Sequence, residues 1–291
     1  MTHKKIFLLL AILILVLGTR YSFPQMPDSG DSLGVSVHPL IFYDEKSFVE
    51  GINRAKNIPK PTYKITGGIT PHDLTAGFIL ADFYKRLSKQ KPATIILIGP
   101  NHYEKGNFLA LTGNYGWSTP YGVVESDKTI IAALISRNLV KVDENTLEND
   151  HAVAGSMPFI KYYLPEAKVV PVLLSGRMTQ AEASILAENL QEFVKENVVI
   201  VAAVDFSHYL DSKQAEENDN ITLAVMKNFD YRQLFLMNND FLDSPPSIGV
   251  LLMVMQKLGK AEPEFIFNAN SGQLQKNNFI QTTSYFEIAY H

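Results

Sequence analysis

Four apolar runs of strand length punctuate the chain: Ile65 to Ile69, Ala93 to Ile98, Lys168 to Leu174 and Val198 to Val204. They are largely continuous rather than alternating, which is the pattern of strands covered on both faces. Between and around them, apolar residues recur at helical spacing. Phe48, Ile52 and Ala55 share one face of 44–56, and Phe78, Ile79, Ala81, Phe83 and Leu87 mark a helix over 76–87. Further helices are predicted from Asp127 to about Arg137, from Thr179 to about Glu196, over 213–228 and over 248–258. Asp44, Asp127 and Thr179 stand where N-caps belong. Phe108 to Thr112 reads as one more short strand, and Gly113 to Gly122 as a turn-rich loop. Leu147 to His151 is a polar lead-in to the apolar segment 152–164, and Asp243-Ser244-Pro245-Pro246 breaks the chain. Glu262 to Asn268 and Thr282 to Tyr290 read as closing strands that suit antiparallel pairing. Strands alternating with helices predict one α/β domain over 37–291, a three-layer sandwich with a mainly parallel central sheet.

The N-terminus departs from this pattern. Lys4 and Lys5 precede an apolar run from Ile6 to Gly18, and Arg20 follows it. A bilayer span needs about 20 apolar residues, so this shorter run fits a signal peptide or a short uncleaved anchor over 1–21. The basic flank places the bulk of the chain outside the cytoplasm, on the periplasmic or extracellular side. Residues 22–36, rich in Ser, Gly, Pro and Asp, form a linker. The only expected contact with a membrane is through the first segment.

Composition narrows the chemistry. The 291 residues include no cysteine, which excludes disulfides, thiolate ligands and a cysteine nucleophile. A net charge of −4 without a long basic run gives no support for nucleic-acid binding. Walker, Gly-x-Gly-x-x-Gly, Gly-x-Ser-x-Gly and His-Glu-x-x-His patterns are all absent from the sequence.

What remains is a set of histidines. His72, His102 and His208 each follow a predicted strand within a few residues. In open α/β sheets the loops beyond the strand carboxyl ends converge on one crevice, where ligands bind. Each residue also has a plainer role. His72 reads as either a metal ligand or a surface-loop histidine at a helix start. Asp205 and His208, three residues apart, either face one cleft or serve as a cap and an exposed side chain. Adjacent side chains diverge, so Ser207 and His208 make a poor nucleophile–base pair. Asp150 either orients His151 or caps the helix that follows. Asp243 either caps a helix or supplies the carboxylate that two imidazoles need for a facial 2-His-1-carboxylate set.

Several ordered motifs add a resemblance. They are Gly67-Gly68-Ile69-Thr70-Pro71-His72, Ile98-Gly99-Pro100-Asn101-His102, Trp117-Ser118-Thr119-Pro120-Tyr121-Gly122, Asp150-His151 with Met157-Pro158-Phe159, Val169-Val170-Pro171-Val172-Leu173, Asp205-Phe206-Ser207-His208-Tyr209 and Ile248-Gly249. From about Phe42 onward the chain resembles the Memo-like family, whose bacterial members are called AmmeMemoRadiSam system protein B. That family is similar in fold to class III extradiol dioxygenases of the LigB type. The resemblance implies metal ligands at His72 and His102, an acid/base histidine at His208 and Asp205 beside it. Animal Memo proteins carry a cysteine at the third ligand position. This chain has Asp243 there, a donor set that favours Fe(II) over copper; zinc is a further alternative.

The expected function is therefore a divalent metal-binding protein with a non-haem-iron-dioxygenase-like site. His72, His102 and Asp243 would hold the metal, and His208, Asp205 and His151 would carry any catalysis. The partner is a small-molecule ligand or substrate. The alternatives are active extradiol cleavage of a catecholic substrate and metal-assisted hydrolysis. The sequence carries no signal for the oligomeric state.

Overall fold

The computed structural model describes residues 36–59, 61–195 and 197–291. The expected signal or anchor segment and all but the last residue of the linker lie outside the described residues.

In chain order the elements are β1 (Val37–His38), α1 (Glu45–Arg54), β2 (Gly67–Thr70), α2 (Gly77–Leu87), β3 (Thr94–Pro100), β4 (Ala110–Thr112), β5 (Gly116–Thr119) and β6 (Gly122–Val124). They continue with α3 (Lys128–Ser136), β7 (Lys141–Val142), α4 (Glu144–Asn149), α5 (His151–Ala154), α6 (Met157–Tyr163), β8 (Lys168–Leu174), α7 (Gln180–Leu190) and β9 (Val198–Ala203). The last group is β10 (His208–Leu210), α8 (Ser212–Lys227), α9 (Tyr231–Leu234), α10 (Pro245–Lys257), β11 (Pro263–Asn270), α11 (Ser271–Gln275) and β12 (Thr282–Tyr290).

The main sheet runs in the order β10-β12-β2-β9-β3-β8-β4-β7, with β11 also paired to β12. Its centre, β2-β9-β3-β8, is parallel. β12 and β4 flank that centre and are antiparallel to it. The apolar runs are continuous because each face of the sheet has its own helical layer. Ile96, Ile98, Val170, Val172, Ile200 and Ala202 point to the layer of α3, α7 and α10. Ile95, Leu97, Val169, Leu173, Val199 and Val201 point to that of α1, α2, α5 and α6. Strand side chains alternate faces, so two covered faces make every position apolar. The three-layer α/β sandwich is thus the observed architecture.

The expected N-caps are present. Asp44, Asp127 and Thr179 accept backbone N–H groups at the starts of α1, α3 and α7, and Thr179 forms a capping box with Glu182. Two expectations are corrected and one stretch left open by the sequence is resolved. The stretch 113–122 is not all loop: it contributes β5 and begins β6, a hairpin that joins β1 in a separate three-stranded sheet. Strands of three or four residues leave too short a period to read. The apolar segment 152–164 is two helices, because the chain turns at Gly155-Ser156. α10 begins at Pro245, not after the prolines. Pro245 and Pro246 occupy its first turn, where a missing N–H costs nothing, and Ser244 is the cap.

Gly68 shows how closely β2 is packed. A Cβ there would run into the Phe83 ring and the Ile288 carbonyl. Gly68→Ala is expected to cost about 1–3 kcal/mol by overpacking. Urea unfolding of the two proteins measures it.

Candidate metal centre

β2, β9 and β3 are neighbours, and the residues that follow their carboxyl ends form one cluster. His72 follows β2, Asp205 follows β9 and His102 follows β3. They line a cavity of about 460 Å³ together with His151 and His208. All the imidazoles expected at the site are therefore brought together.

Each of the two central imidazoles is fixed by its Nδ1. His72 Nδ1 lies 3.1 Å from the Ala203 carbonyl, which only accepts, so Nδ1 carries the proton. The His72 backbone N–H donates to Asp205 at 3.0 Å. His102 Nδ1 lies 2.7 Å from Asp150 Oδ1, and the His102 backbone N–H donates to Asp150 Oδ2 at 2.8 Å. In both rings Nε2 is left as a lone pair turned toward the cavity. Both lone pairs face Asp243: its Oδ2 is 3.3 Å from His72 Nε2 and 3.9 Å from His102 Nε2. Asp205 Oδ2 is 3.5 Å from His72 Nε2.

Asp243 reaches this point by backbone pairing. Its N–H donates to the Asp205 carbonyl at 3.1 Å, and an antiparallel bridge joins Leu242 to Phe206. Asp243 Oδ2 accepts from the Asp205 N–H at 3.3 Å, while Oδ1 is buried with no partner.

The arrangement of Asp150 corrects one expectation. It caps α5 through the Ala152 N–H, as the plainer reading held, but the imidazole it orients is His102 and not His151. Its three accepted bonds all come from His102 and Ala152, which leaves no oxygen aimed at its chain neighbour. Ser207 is likewise no nucleophile for His208, since its hydroxyl donates to Asp219 at 2.8 Å.

Burial sets the charge states. His72 is held well below the ordinary histidine range by burial first, then by His102 and His151. His151 is lowered by burial and then by His102, and His208 is pushed down to about 4 by the same two causes. Burial, followed by Asp73, lifts Asp205 well above the carboxylate range, and burial, followed by Asp205, does the same to Asp243. The lone pair of the neutral His72 ring thus faces carboxyl oxygens that burial disfavours as anions. A cation among them would relieve both conditions.

Two overlapping groups of side chains have ligand atoms within 4.8 Å of one another: His72 with His102 and His151, and His72 with Asp205 and Asp243. Ring orientation ranks the imidazoles. His72 and His102 cross at 89°, so their in-plane lone pairs can meet at one ion. His102 and His151 are stacked 4.2 Å apart at 13°, and lone pairs in parallel planes do not converge. His208 lies on the cavity wall outside both groups, and its buried Nδ1 has no partner.

Sequence reasoning missed Asp73, which lines the same cavity and accepts a 2.7 Å bond from the Tyr285 hydroxyl. Its place beside His72 was the available signal. Nothing local in the sequence points to Tyr285. Phe42 was likewise passed over; its ring lies 5.8 Å from that of His151.

Among the described residues no helix is long and apolar enough to cross a membrane. Comparison with known proteins adds the family. A MEMO1 family protein of Pyrobaculum arsenaticum is 29% identical over 82% of this chain and 88% of its own length. A MEMO1 family protein of Methanosarcina barkeri is 29% identical over 72% of this chain and 81% of its own. The crystal structure of an uncharacterized protein from Escherichia coli K12 superposes with a TM-score of 0.49 at 12% identity, over 76% of this chain and 98% of that one. Residues 44–287 match the Memo-like protein family, a span that contains every side chain of the cluster, and the chain belongs to that family.

Proposed function

We propose that the cavity binds one divalent metal ion through His72, His102 and Asp243, with Fe(II) as the preferred ion, and presents it to a small-molecule ligand. The observation that carries this reading is the Asp243 carboxylate: Oδ1 is buried without a donor, and Oδ2, which accepts the Asp205 N–H, also faces the Nε2 atoms of His72 and His102. Metal–ligand bonds of about 2.1 Å put neighbouring ligand atoms roughly 3.0–3.4 Å apart, near the separations found here. A nitrogen-and-oxygen donor set without thiolate is the chemistry of non-haem iron, with copper and zinc as the other candidates.

A bound ion of this kind supplies a Lewis acid with positions left open for a chelating ligand. The protein's own groups do the rest. Ala203 and Asp150 hold His72 and His102 in the tautomer that leaves Nε2 unprotonated. His208, neutral at pH 7, lines the cavity and is the group placed to take a proton from a ligand there. Asp205 holds the His72 backbone, and the stacked His151 covers His102. Binding without turnover is the first reading. Ring cleavage of a catechol and metal-assisted hydrolysis are its rivals. Oxygen uptake after anaerobic Fe(II) loading and addition of a catechol panel separates them: no uptake supports a binder, and a yellow ring-opened product supports the dioxygenase. Zinc-loaded protein cleaving ester probes would support the hydrolase.

The pH dependence has a definite sign. Asp243 holds its proton in the metal-free protein above the ordinary carboxylate range, so its use as a ligand must release that proton. Affinity therefore rises with pH. The increase in Tm on adding metal is expected to be larger at pH 8 than at pH 6, measured by thermal unfolding with and without the ion.

Export belongs to the same proposal, supported by Lys4 and Lys5 ahead of the apolar 6–18 run. Fractionation of cells expressing the full chain tests it: recovery wholly in the cytoplasm contradicts it.

A further inference from the structure

His38 is fully buried in β1, yet both of its ring nitrogens face carboxylates. Nε2 is 3.0 Å from Glu144 Oε2, and Nδ1 is 3.2 Å from Glu148 Oε2. The two glutamates are four apart and so lie on one face of α4. Carboxylates only accept, so an imidazole that satisfies both must donate from both nitrogens, which is the imidazolium form. The other titratable group facing the ring is Tyr115, at 5.4 Å; Trp117, at 4.4 Å, is neutral. Glu144 is itself held, because its Oε1 accepts the Asn114 N–H at 2.6 Å.

The two elements joined by His38 lead directly to the cavity. After β1 the chain runs through Phe42, Tyr43 and Asp44, which line it. After α4 come Asp150, which orients His102, and His151, which Phe42 faces. β1 has only two residues, paired to Gly116 and Trp117, so few backbone bonds hold this strap.

We propose that His38 is a protonation-dependent staple that fastens the strap 38–44 over the cavity by tying β1 to α4. Loss of one proton turns a ring nitrogen into a lone pair facing a carboxylate, and one of the two ties becomes repulsive. The strap then loosens and the mouth of the cavity opens as pH rises. The inference goes beyond metal binding and does not depend on it.

Trp117 is the chain's single tryptophan and lies against His38, so it reports the proton directly. Imidazolium quenches indole emission more than neutral imidazole does. In the full chain with EDTA present, Trp117 emission is expected to rise in one step with increasing pH. The step should vanish in His38→Gln and move to lower pH in Glu144→Gln, which keeps the histidine but removes one carboxylate. Amide exchange over 39–44 should quicken across the same step in the wild type and be fast at every pH in His38→Gln. A step that persists in His38→Gln, the lack of any step in the wild type, or a step without faster exchange over 39–44 overturns the proposal. Since no metal is present, failure here leaves the metal reading standing, and failure of metal binding leaves this test intact.

Discussion

Replacing His72 with alanine is expected to lower metal affinity by more than about 100-fold, beyond the 10–100-fold typical of losing a residue that only orients a ligand. His72 is the one residue common to both groups whose ligand atoms lie close enough to share an ion. Its Nε2 is also the nitrogen nearest Asp243. The substitution also removes the Nδ1–H bond to the Ala203 carbonyl, and leaving a buried acceptor short of a partner costs about 1–3 kcal/mol. Equilibrium metal titration gives the affinity, and urea unfolding of the metal-free protein shows whether the fold survives. Equal affinities for the variant and the wild type would remove His72 from the ligand set.

Asp150→Asn is expected to weaken metal binding by about 10–100-fold while leaving the fold largely intact. The side chain keeps its size and still offers one oxygen. With that oxygen in the Oδ2 position it still accepts the His102 backbone N–H, and the amide nitrogen then takes the Oδ1 position, a donor placed against His102 Nδ1–H and the Ala152 N–H. The ring answers by moving its proton to Nε2, and a protonated Nε2 has no lone pair for a metal. Metal titration reads the loss. The histidine nitrogen chemical shifts of the metal-free protein read the tautomer, which is expected to change for His102 alone. Unchanged affinity together with a changed tautomer would mean that His102 is no ligand.

The parts of the site legible in the sequence are those carried by long, uninterrupted strands. β3, β8 and β9 are apolar throughout because helices cover both faces, and the residues just beyond β3 and β9 could be assigned to a crevice. His102 and Asp205 were visible in this way, and His72 through the shorter β2. Asp243 was not, because a backbone bridge between residues 205–206 and 242–243 brings it in, and pairing between distant irregular segments leaves no periodic trace. The residues alone left Asp243 open between a helix cap and a ligand, and the family resemblance favoured the ligand. The partner of Asp150 was misjudged for the same reason: a carboxylate beside a histidine in the chain bonds a different histidine 48 residues away. The hairpin of β5 and β6 was lost to its brevity, and Tyr285 acts on Asp73 across 212 residues.

The most direct test of the metal centre is a calorimetric titration of the metal-stripped full chain with Fe(II) under strict exclusion of oxygen. One ion per chain is expected in the wild type, with saturable binding lost in His72→Ala/His102→Ala and strongly weakened in Asp243→Ala. No saturable binding in the wild type, or the same stoichiometry and affinity in all three proteins, would contradict it.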